Sequence, residues 1–171
     1  MTASMASSGS VVPRVDVMSF QKTPGGTRGP RSMSSNAVTR LLVKAMNGWH
    51  RRSGDKFMGM DLLYLTTVGA KSGEKRQSTV SRFPGRDGAW LIIASSGGSA
   101  RHPAWYHNIA AHPDQVWIEF GGQQHHVTAE QLEGDERAEA WAAVSQSQPR
   151  YLGYQQKTDR VIPVIRLSPA D

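Results

Sequence analysis

The sequence contains no cysteine, and this absence excludes several classes of protein at once. With none among its 171 residues, the chain has no disulfide framework, no iron–sulfur cluster, no cysteine-ligated zinc and no thiol nucleophile. It also lacks an apolar run near the roughly 20 residues that a membrane-spanning helix needs. The apolar pair Val11-Val12 is broken at once by Pro13, so no secretory signal is expected. We therefore predict a cytoplasmic protein.

General catalytic and metal-binding motifs are absent as well. The sequence has no P-loop, no G-x-G-x-x-G between a strand and a helix, and no H-E-x-x-H. His125 and His126 are adjacent on a predicted strand, so they point to opposite faces. His102, His107 and His112 recur at steps of five and drift around a helix. No metal site is predicted.

Positive charge is concentrated in the first third of the chain. Nine Lys and Arg against two acids give residues 1–56 a formal charge of +7, whereas residues 57–171 sum to −1. The pI of about 10.0 therefore reflects the N-terminal third, and it gives little support to nucleic-acid binding by the remainder. Residues 1–33 are rich in Ser, Gly and Pro without apolar periodicity, which predicts a disordered extension.

Residues 34–52 are predicted to form a basic amphipathic helix. Apolar side chains recur at three- and four-residue steps from Val38 to Trp49, with the basic residues elsewhere. Such a helix either packs on its own domain or lies on an anionic membrane surface, and both alternatives stay open.

From residue 60 the apolar pattern changes to the alternation that is typical of β-strands. Turns rich in Gly and Pro separate the alternating stretches. The pattern predicts helices at 103–111 and 135–144, and six strands over residues 61–67, 76–83, 89–95, 115–120, 124–129 and 161–167. These elements indicate one antiparallel barrel or sheet with helices at its rim, in a single domain over residues 34–171.

Two stretches carry residues suited to ligand binding, one to an anion and the other to a flat ring. A Gly-rich turn lies beside Lys71, Lys75 and Arg76, whose cations bond phosphate or carboxylate oxygens. Farther along, a Gly-rich loop leads into a helix that carries Trp105 and Tyr106, and such aromatics form a floor for a ring. Taken alone, each pattern more often marks a solvated turn or a packed aromatic.

Together with a third stretch, these segments resemble the deazaflavin-dependent nitroreductase and quinone reductase family, actinobacterial enzymes that use reduced coenzyme F420. The matches occur in the family's order and cover roughly residues 37–168. They comprise residues 65–73 (LTTVGAKSG) with Arg76, residues 97–98 (GG) and 102–108 (HPAWYHN), and residues 151–155 (YLGYQ) and 158–164 (TDRVIPV).

The resemblance implies a fold, a cofactor and a reaction. The fold is a split β-barrel of the FMN-binding, pyridoxamine oxidase-like type, an α+β class that is mainly antiparallel β with peripheral helices. The cofactor is reduced coenzyme F420, which carries the hydride. The reaction is hydride transfer to a quinone, an activated alkene or a nitro compound.

Carried over by position, the resemblance also assigns site residues. Those expected to hold the coenzyme's phosphate and polyglutamate tail are Ala70, Lys71, Ser72, Arg76, Gln77, Ser78, Thr79, Val80 and Ser81. Those expected to line the deazaflavin ring are Ile93, Ala94, Ser95, Ser96, Ala104, Trp105, Tyr106, His107 and Asn108. Tyr151, Tyr154 and Ser95 are expected to be catalytic, the tyrosines closing over the acceptor and Ser95 donating a hydrogen bond.

Two departures from the family pattern concern the acceptor. Gln148 stands where the nitroimidazole-activating member has an aromatic, and Ser81 replaces an expected Tyr. Both put nitroimidazole reduction in doubt and leave coenzyme binding intact.

Other functions stay compatible with the sequence. A split barrel can bind FMN or haem instead, and the basic N-terminal segment can bind anionic lipid or nucleic acid without catalysis. We favour the enzyme, with no nucleic-acid partner. Peripheral contact at the inner membrane surface through residues 34–52 stays open and would suit a lipid quinone. Both a monomer and a dimer are compatible with the sequence.

Overall fold

The computed structural model describes residues 20–30, 55–57 and 59–170. The helix predicted over residues 34–52 lies outside them. The described helices are α1 (Ala104–Ala111), α2 (Gly134–Ser147) and α3 (Arg150–Lys157), with a short 3₁₀ turn at Ser96–Gly98. The described strands are β1 (Lys56–Phe57), β2 (Met60–Val68), β3 (Lys75–Ser81), β4 (Phe83–Pro84), β5 (Trp90–Ile93), β6 (Val116–Phe120), β7 (Gln123–Gln131) and β8 (Val164–Pro169).

The strands form one antiparallel sheet that curls on itself. Its order is β1-β2-β6-β7-β8-β5-β4, and β3 also pairs with β2. Since β3 contacts β5 from the other end of the order, the sheet bends towards closure. This arrangement, with the helices at its periphery, confirms the predicted mainly antiparallel α+β fold.

Two apolar clusters hold the helices against the sheet. Alternating residues of β6, Val116 and Ile118, are fully buried, as the sequence pattern predicts, and they pack in one cluster with Trp105 of α1. A second cluster gathers Tyr151 of α3 and Ile93 of β5. Each of these two helices therefore anchors an aromatic side chain of the predicted site in the core.

The structure departs from the sequence prediction at α3 and near β3. The polar stretch at Arg150–Lys157 is a helix, although Tyr151 is its one buried residue, so it shows no apolar stripe. The predicted strand over residues 76–83 is split into β3 and β4, because β3 pairs with β2 whereas Phe83–Pro84 pairs with β5.

Residues 20–30 lie within the predicted disordered extension, yet they pack on the domain. The Phe20 ring meets the Tyr106 ring edge-on at 5.7 Å between centroids. The Thr23 N–H donates to the Tyr106 hydroxyl at 2.8 Å, and the Gly26 N–H donates to the Ala100 carbonyl at 2.8 Å. These partners are distant in sequence, so local composition did not indicate them. We call residues 20–30 the N-terminal strap.

Candidate active site

Two neighbouring cavities share the side chain of Trp105. The first, the hairpin cavity, has a volume of about 830 Å³ and is lined by Lys22, Gly69, Ala70, Lys71, Ser72, Arg76, Gln77, Ser78, Ala104, Trp105, His107, Asn108, Ala110 and Ala111. The second, the tyrosine cavity, has a volume of about 280 Å³ and is lined by Met60, Thr79, Val80, Ser81, Ile93, Ser95, Ser96, Gly97, Pro103, Trp105, Arg150, Tyr151 and Tyr154. Together the two cavities extend from the turn between β2 and β3 to α3.

The predicted site residues line one or the other cavity, with two exceptions. Ala94 is fully buried at the end of β5. Tyr106 is also fully buried and faces the N-terminal strap, where its hydroxyl donates to Gln131 Oε1 at 2.7 Å. Tyr106 therefore holds the strap instead of lining the groove.

The hairpin cavity is lined by cations and by no carboxylate. Lys22, Lys71 and Arg76 line it, and Arg76 also forms an exposed ion pair with Glu74 at 2.6 Å. Lys75 does not line this cavity, because its Nζ lies over the Trp117 ring, 4.0 Å from the centroid. The lining therefore favours a ligand that carries several negative charges.

Asn108 fixes the turn between β2 and β3 relative to α1. Its Oδ1 accepts from the Ala70 N–H at 3.1 Å, and its Nδ2 donates to Thr67 Oγ1 at 3.0 Å. The turn itself closes through the Gly69 N–H, which donates to the Glu74 carbonyl at 2.8 Å. One amide thus holds the cationic turn beside the helix that carries Trp105.

The tyrosine cavity contains a buried phenol. Tyr151 is 6% exposed and meets the rings of Phe83 and Tyr154 edge-on, each at 5.6 Å between centroids. Burial raises the pKa of Tyr151, while a hydrogen bond with the Ser81 side chain opposes that shift. The Tyr151 hydroxyl therefore keeps its proton at neutral pH and is available as a donor. The predicted departure at Ser81 places a small hydroxyl against this phenol.

Arg160, for which no specific role was predicted, fixes the loop between β5 and α1. It is 3% exposed, and its Nη2 donates to the carbonyls of Ala94 at 3.0 Å and Ser95 at 2.7 Å. Its Nε donates to the Ser99 carbonyl at 2.7 Å, and its Nη1 reaches His102 Nδ1 at 3.0 Å. Arg160 lies in the TDRVIPV match, but a short motif cannot reveal that its guanidinium is buried.

The neighbours of His102 require one neutral form of its ring. Arg160 only donates, so Nδ1 accepts, and Nε2 must then carry the proton that it donates to the Thr23 carbonyl at 2.9 Å. Burial chiefly, and then the Arg160 charge, lower the pKa of His102. Protonation of His102 would place an N–H against the guanidinium and break the contact between His102 and Arg160, whereas the donation from Nε2 to the Thr23 carbonyl would persist.

We expect His102 to make the stability of the fold dependent on pH. Since its folded pKa lies below the usual 6.5, its contribution is present above pH 6.5 and is lost as the pH falls through the folded pKa. Urea unfolding at about pH 7.5 and about pH 5.5 should show a loss of stability in the native chain and a smaller loss in His102→Gln. His126→Gln, a change on the surface, should keep the native pH dependence. Equal pH dependence in all three proteins would contradict this assignment.

Within the described residues, no group of three or more His, Asp or Glu is arranged to hold a metal ion. No helix in the same part of the chain is long and apolar enough to cross a membrane.

Comparison with known proteins identifies a family for this chain. The family model described as F420H(2)-dependent quinone reductase matches residues 38–169. A Mycobacterium tuberculosis protein named F420H(2)-dependent quinone reductase is 40% identical over 136 residues, which cover 77% of this chain and 89% of that protein. The match agrees with the actinobacterial family that the sequence resembles.

Of two similar solved structures, one supports the same assignment and both share the fold. One, described as an F420-H2 dependent reductase, is 40% identical with a TM-score of 0.57 and covers 63% of this chain and 93% of its own. The other, described as a domain-swapped dimer, is 34% identical with a TM-score of 0.58 and covers 77% of this chain and 100% of its own. The predicted split β-barrel fold is thereby confirmed. The chain belongs to the F420H(2)-dependent quinone reductase family and is an oxidoreductase that depends on reduced coenzyme F420.

Proposed function

We propose that this chain transfers a hydride from reduced coenzyme F420 to a quinone. In this proposal the anionic tail of the coenzyme occupies the hairpin cavity and its deazaflavin ring occupies the tyrosine cavity. The observation that carries it is that two neighbouring cavities share Trp105. One is lined by three cations without a carboxylate, and the other is lined by the phenols of Tyr151 and Tyr154 together with Arg150.

The hairpin cavity suits the tail because its cations are held in place. Asn108 fixes the turn that carries Lys71 and, through β3, Arg76. A charge-assisted hydrogen bond to phosphate or carboxylate contributes about 1.5–3 kcal/mol net. Arg76 must exchange its exposed partner Glu74 for the ligand, which costs little because a surface ion pair contributes about 0–1 kcal/mol.

The tyrosine cavity suits the ring and the acceptor. When bound, the reduced coenzyme supplies the hydride. Trp105, Tyr151 and Tyr154 line this cavity, so their rings can contact the bound ring and restrict the access of water. The Tyr151 hydroxyl, kept protonated by burial, and Ser95 can donate to the acceptor oxygen where negative charge develops. Activated alkenes and nitro compounds carry similar acceptor oxygens and are proposed as secondary substrates.

We further propose that a lipid quinone reaches this site from the inner membrane surface. The support is the basic amphipathic pattern of residues 34–52, which lies outside the described part of the chain. Vesicle co-sedimentation of the full chain tests this step, with binding expected to anionic vesicles and to be lost at high salt.

Coenzyme binding is tested by removing the cations of the hairpin cavity one at a time. Lys71→Ala and Arg76→Ala should each weaken F420 binding about 10-fold in a fluorescence titration, because each loses a charge-assisted bond to the tail. The matched control is Lys75→Ala, which removes the same charge from the same turn but from outside the cavity. It should change the affinity about 2-fold or less. Circular dichroism should show all three variants folded.

The reaction itself is tested by following the oxidation of the reduced coenzyme with a panel of quinones, enones and nitro compounds. We expect quinones to be reduced fastest. Unchanged F420 affinity in both cavity variants, or tight binding of FMN or haem without any response to F420, would overturn the proposal.

A further inference from the structure

The N-terminal strap brings an additional cation to the hairpin cavity. Lys22 lines this cavity together with Lys71 and Arg76, although some fifty residues separate it from the turn. The strap lies outside residues 38–169, the part that the family model matches. Lys22 is therefore a feature of this chain that the family match does not assign.

The residues on both sides of Lys22 are fixed to the domain. The Phe20 ring packs on Tyr106. All the polar groups of Thr23 are held: its N–H donates to the Tyr106 hydroxyl at 2.8 Å, its carbonyl accepts from His102, and its Oγ1 accepts from Gln131 Nε2 at 3.0 Å. Lys22 is thus an exposed side chain on an anchored backbone.

The far end of the strap is fixed by Asp159. Its Oδ1 accepts from the backbone N–H groups of Thr27 at 2.8 Å and Arg28 at 3.0 Å. The side-chain hydrogen bond from Thr27, and then the Arg28 N–H, lower the pKa of Asp159 to about 2, so the carboxylate is ionised at neutral pH. The Gly26 N–H adds a bond to the Ala100 carbonyl at 2.8 Å.

The charge balance of the cavity gives Lys22 its significance. Arg76 is partly compensated by Glu74, whereas Lys22 and Lys71 form no ion pair with any acid among the described residues. Lys22 also adds to the effect of burial in lowering the pKa of His107, which lines the same cavity. The charge of the Lys22 ammonium therefore contributes to the electrostatic potential inside the cavity.

We propose that Lys22 binds the anionic tail of the coenzyme and that the N-terminal strap completes the tail site. This inference rests on the proposed function, since it takes the occupant of the hairpin cavity to be the phosphate and glutamates of F420. Lys22 of the strap and Lys71 of the turn are far apart in sequence but line the same cavity. The tail is therefore held by two separate segments of the chain. An extended polyanion gains most from cations that are fixed along its path.

The test uses the full chain and F420 fluorescence at low ionic strength. Lys22→Gln should weaken binding about 5-fold, whereas Lys22→Arg should retain most of the affinity. Lys56→Gln, an exposed lysine that does not line the cavity, is the matched control and should stay near the native affinity. The deazaflavin chromophore without phosphate and glutamates should bind the native chain and Lys22→Gln equally.

Asp159→Ala tests whether F420 binding depends on the anchoring of the strap or only on the net charge near the cavity. Removing a negative charge would by itself favour an anionic ligand, but releasing the far end of the strap should weaken F420 binding, by less than Lys22→Gln does because Phe20 and Thr23 still anchor the near end. The double variant should then lose little more than Lys22→Gln alone. Equal F420 affinity in Lys22→Gln and Lys56→Gln would overturn the inference while leaving the proposed function in place. Failure of the native chain to bind F420 would instead overturn the proposed function.

Discussion

Replacing Arg160 by Met should lower the free energy of unfolding by about 3–5 kcal/mol. The guanidinium is 3% exposed and donates to the carbonyls of Ala94, Ser95 and Ser99 and to the ring of His102. Methionine fills a similar volume but leaves these acceptors buried without donors, at about 1–3 kcal/mol for each that water cannot reach. Urea unfolding followed by circular dichroism measures the change.

Two variants test whether this loss arises from the hydrogen bonds. Arg160→Lys keeps the charge but cannot span all four acceptors, so it should recover only part of the stability. Arg101→Met makes the same substitution at an exposed position on the same loop and should stay within about 0.5 kcal/mol of the native chain. If Arg160→Met were as stable as Arg101→Met, the role given to Arg160 in fixing the loop would be wrong.

The sequence predicted the parts of the fold that depend on local patterns. Alternation placed Val116 and Ile118 on a buried face, and the structure confirms it. The helix at Arg150–Lys157 was not predicted, because Tyr151 is its one buried residue and the segment is otherwise polar. Contacts with residues outside the helix hold it, among them the hydrogen bonds of Gln155 with Arg160 and Ile162, and periodicity does not report such contacts.

For the site, the sequence predicted most residues that line the two cavities, but it did not predict the contacts that hold those residues in place. The motifs placed Lys71 and Trp105 in the two cavities, because residues that touch a shared ligand recur in a family pattern. Arg160 and Lys22 act through contacts between distant parts of the chain: 61 residues separate Arg160 from Ser99, and 83 separate Thr23 of the strap from Tyr106 of α1. Composition could not reveal either, since Gly- and Pro-rich segments are ordered only where a partner surface exists.

The close approach of Gly98 to α3 makes that glycine hard to replace. Its φ is +83°, and a Cβ added there would lie 2.6 Å from the Tyr154 carbonyl oxygen and 2.9 Å from Lys157 Cβ. Gly97 is its neighbour with a φ of +63°, but a Cβ there would meet nothing within 4 Å. A side chain at either glycine would strain the left-handed backbone, but only one at Gly98 would also collide with α3.

Gly98→Ala should therefore destabilise the fold by about 2–4 kcal/mol, against about 1 kcal/mol for Gly97→Ala. Because the clash is with backbone, relief requires α3 to move, and α3 carries Tyr151 and Tyr154 over the tyrosine cavity. Quinone reduction by Gly98→Ala should fall about 10-fold or more in kcat/KM at a temperature where the variant is still folded, with F420 affinity near native. Gly97→Ala is the control for stability only, because Gly97 itself lines the tyrosine cavity. Equal stability in the two variants would show that α3 does not depend on this contact, and the tyrosines would then need another support.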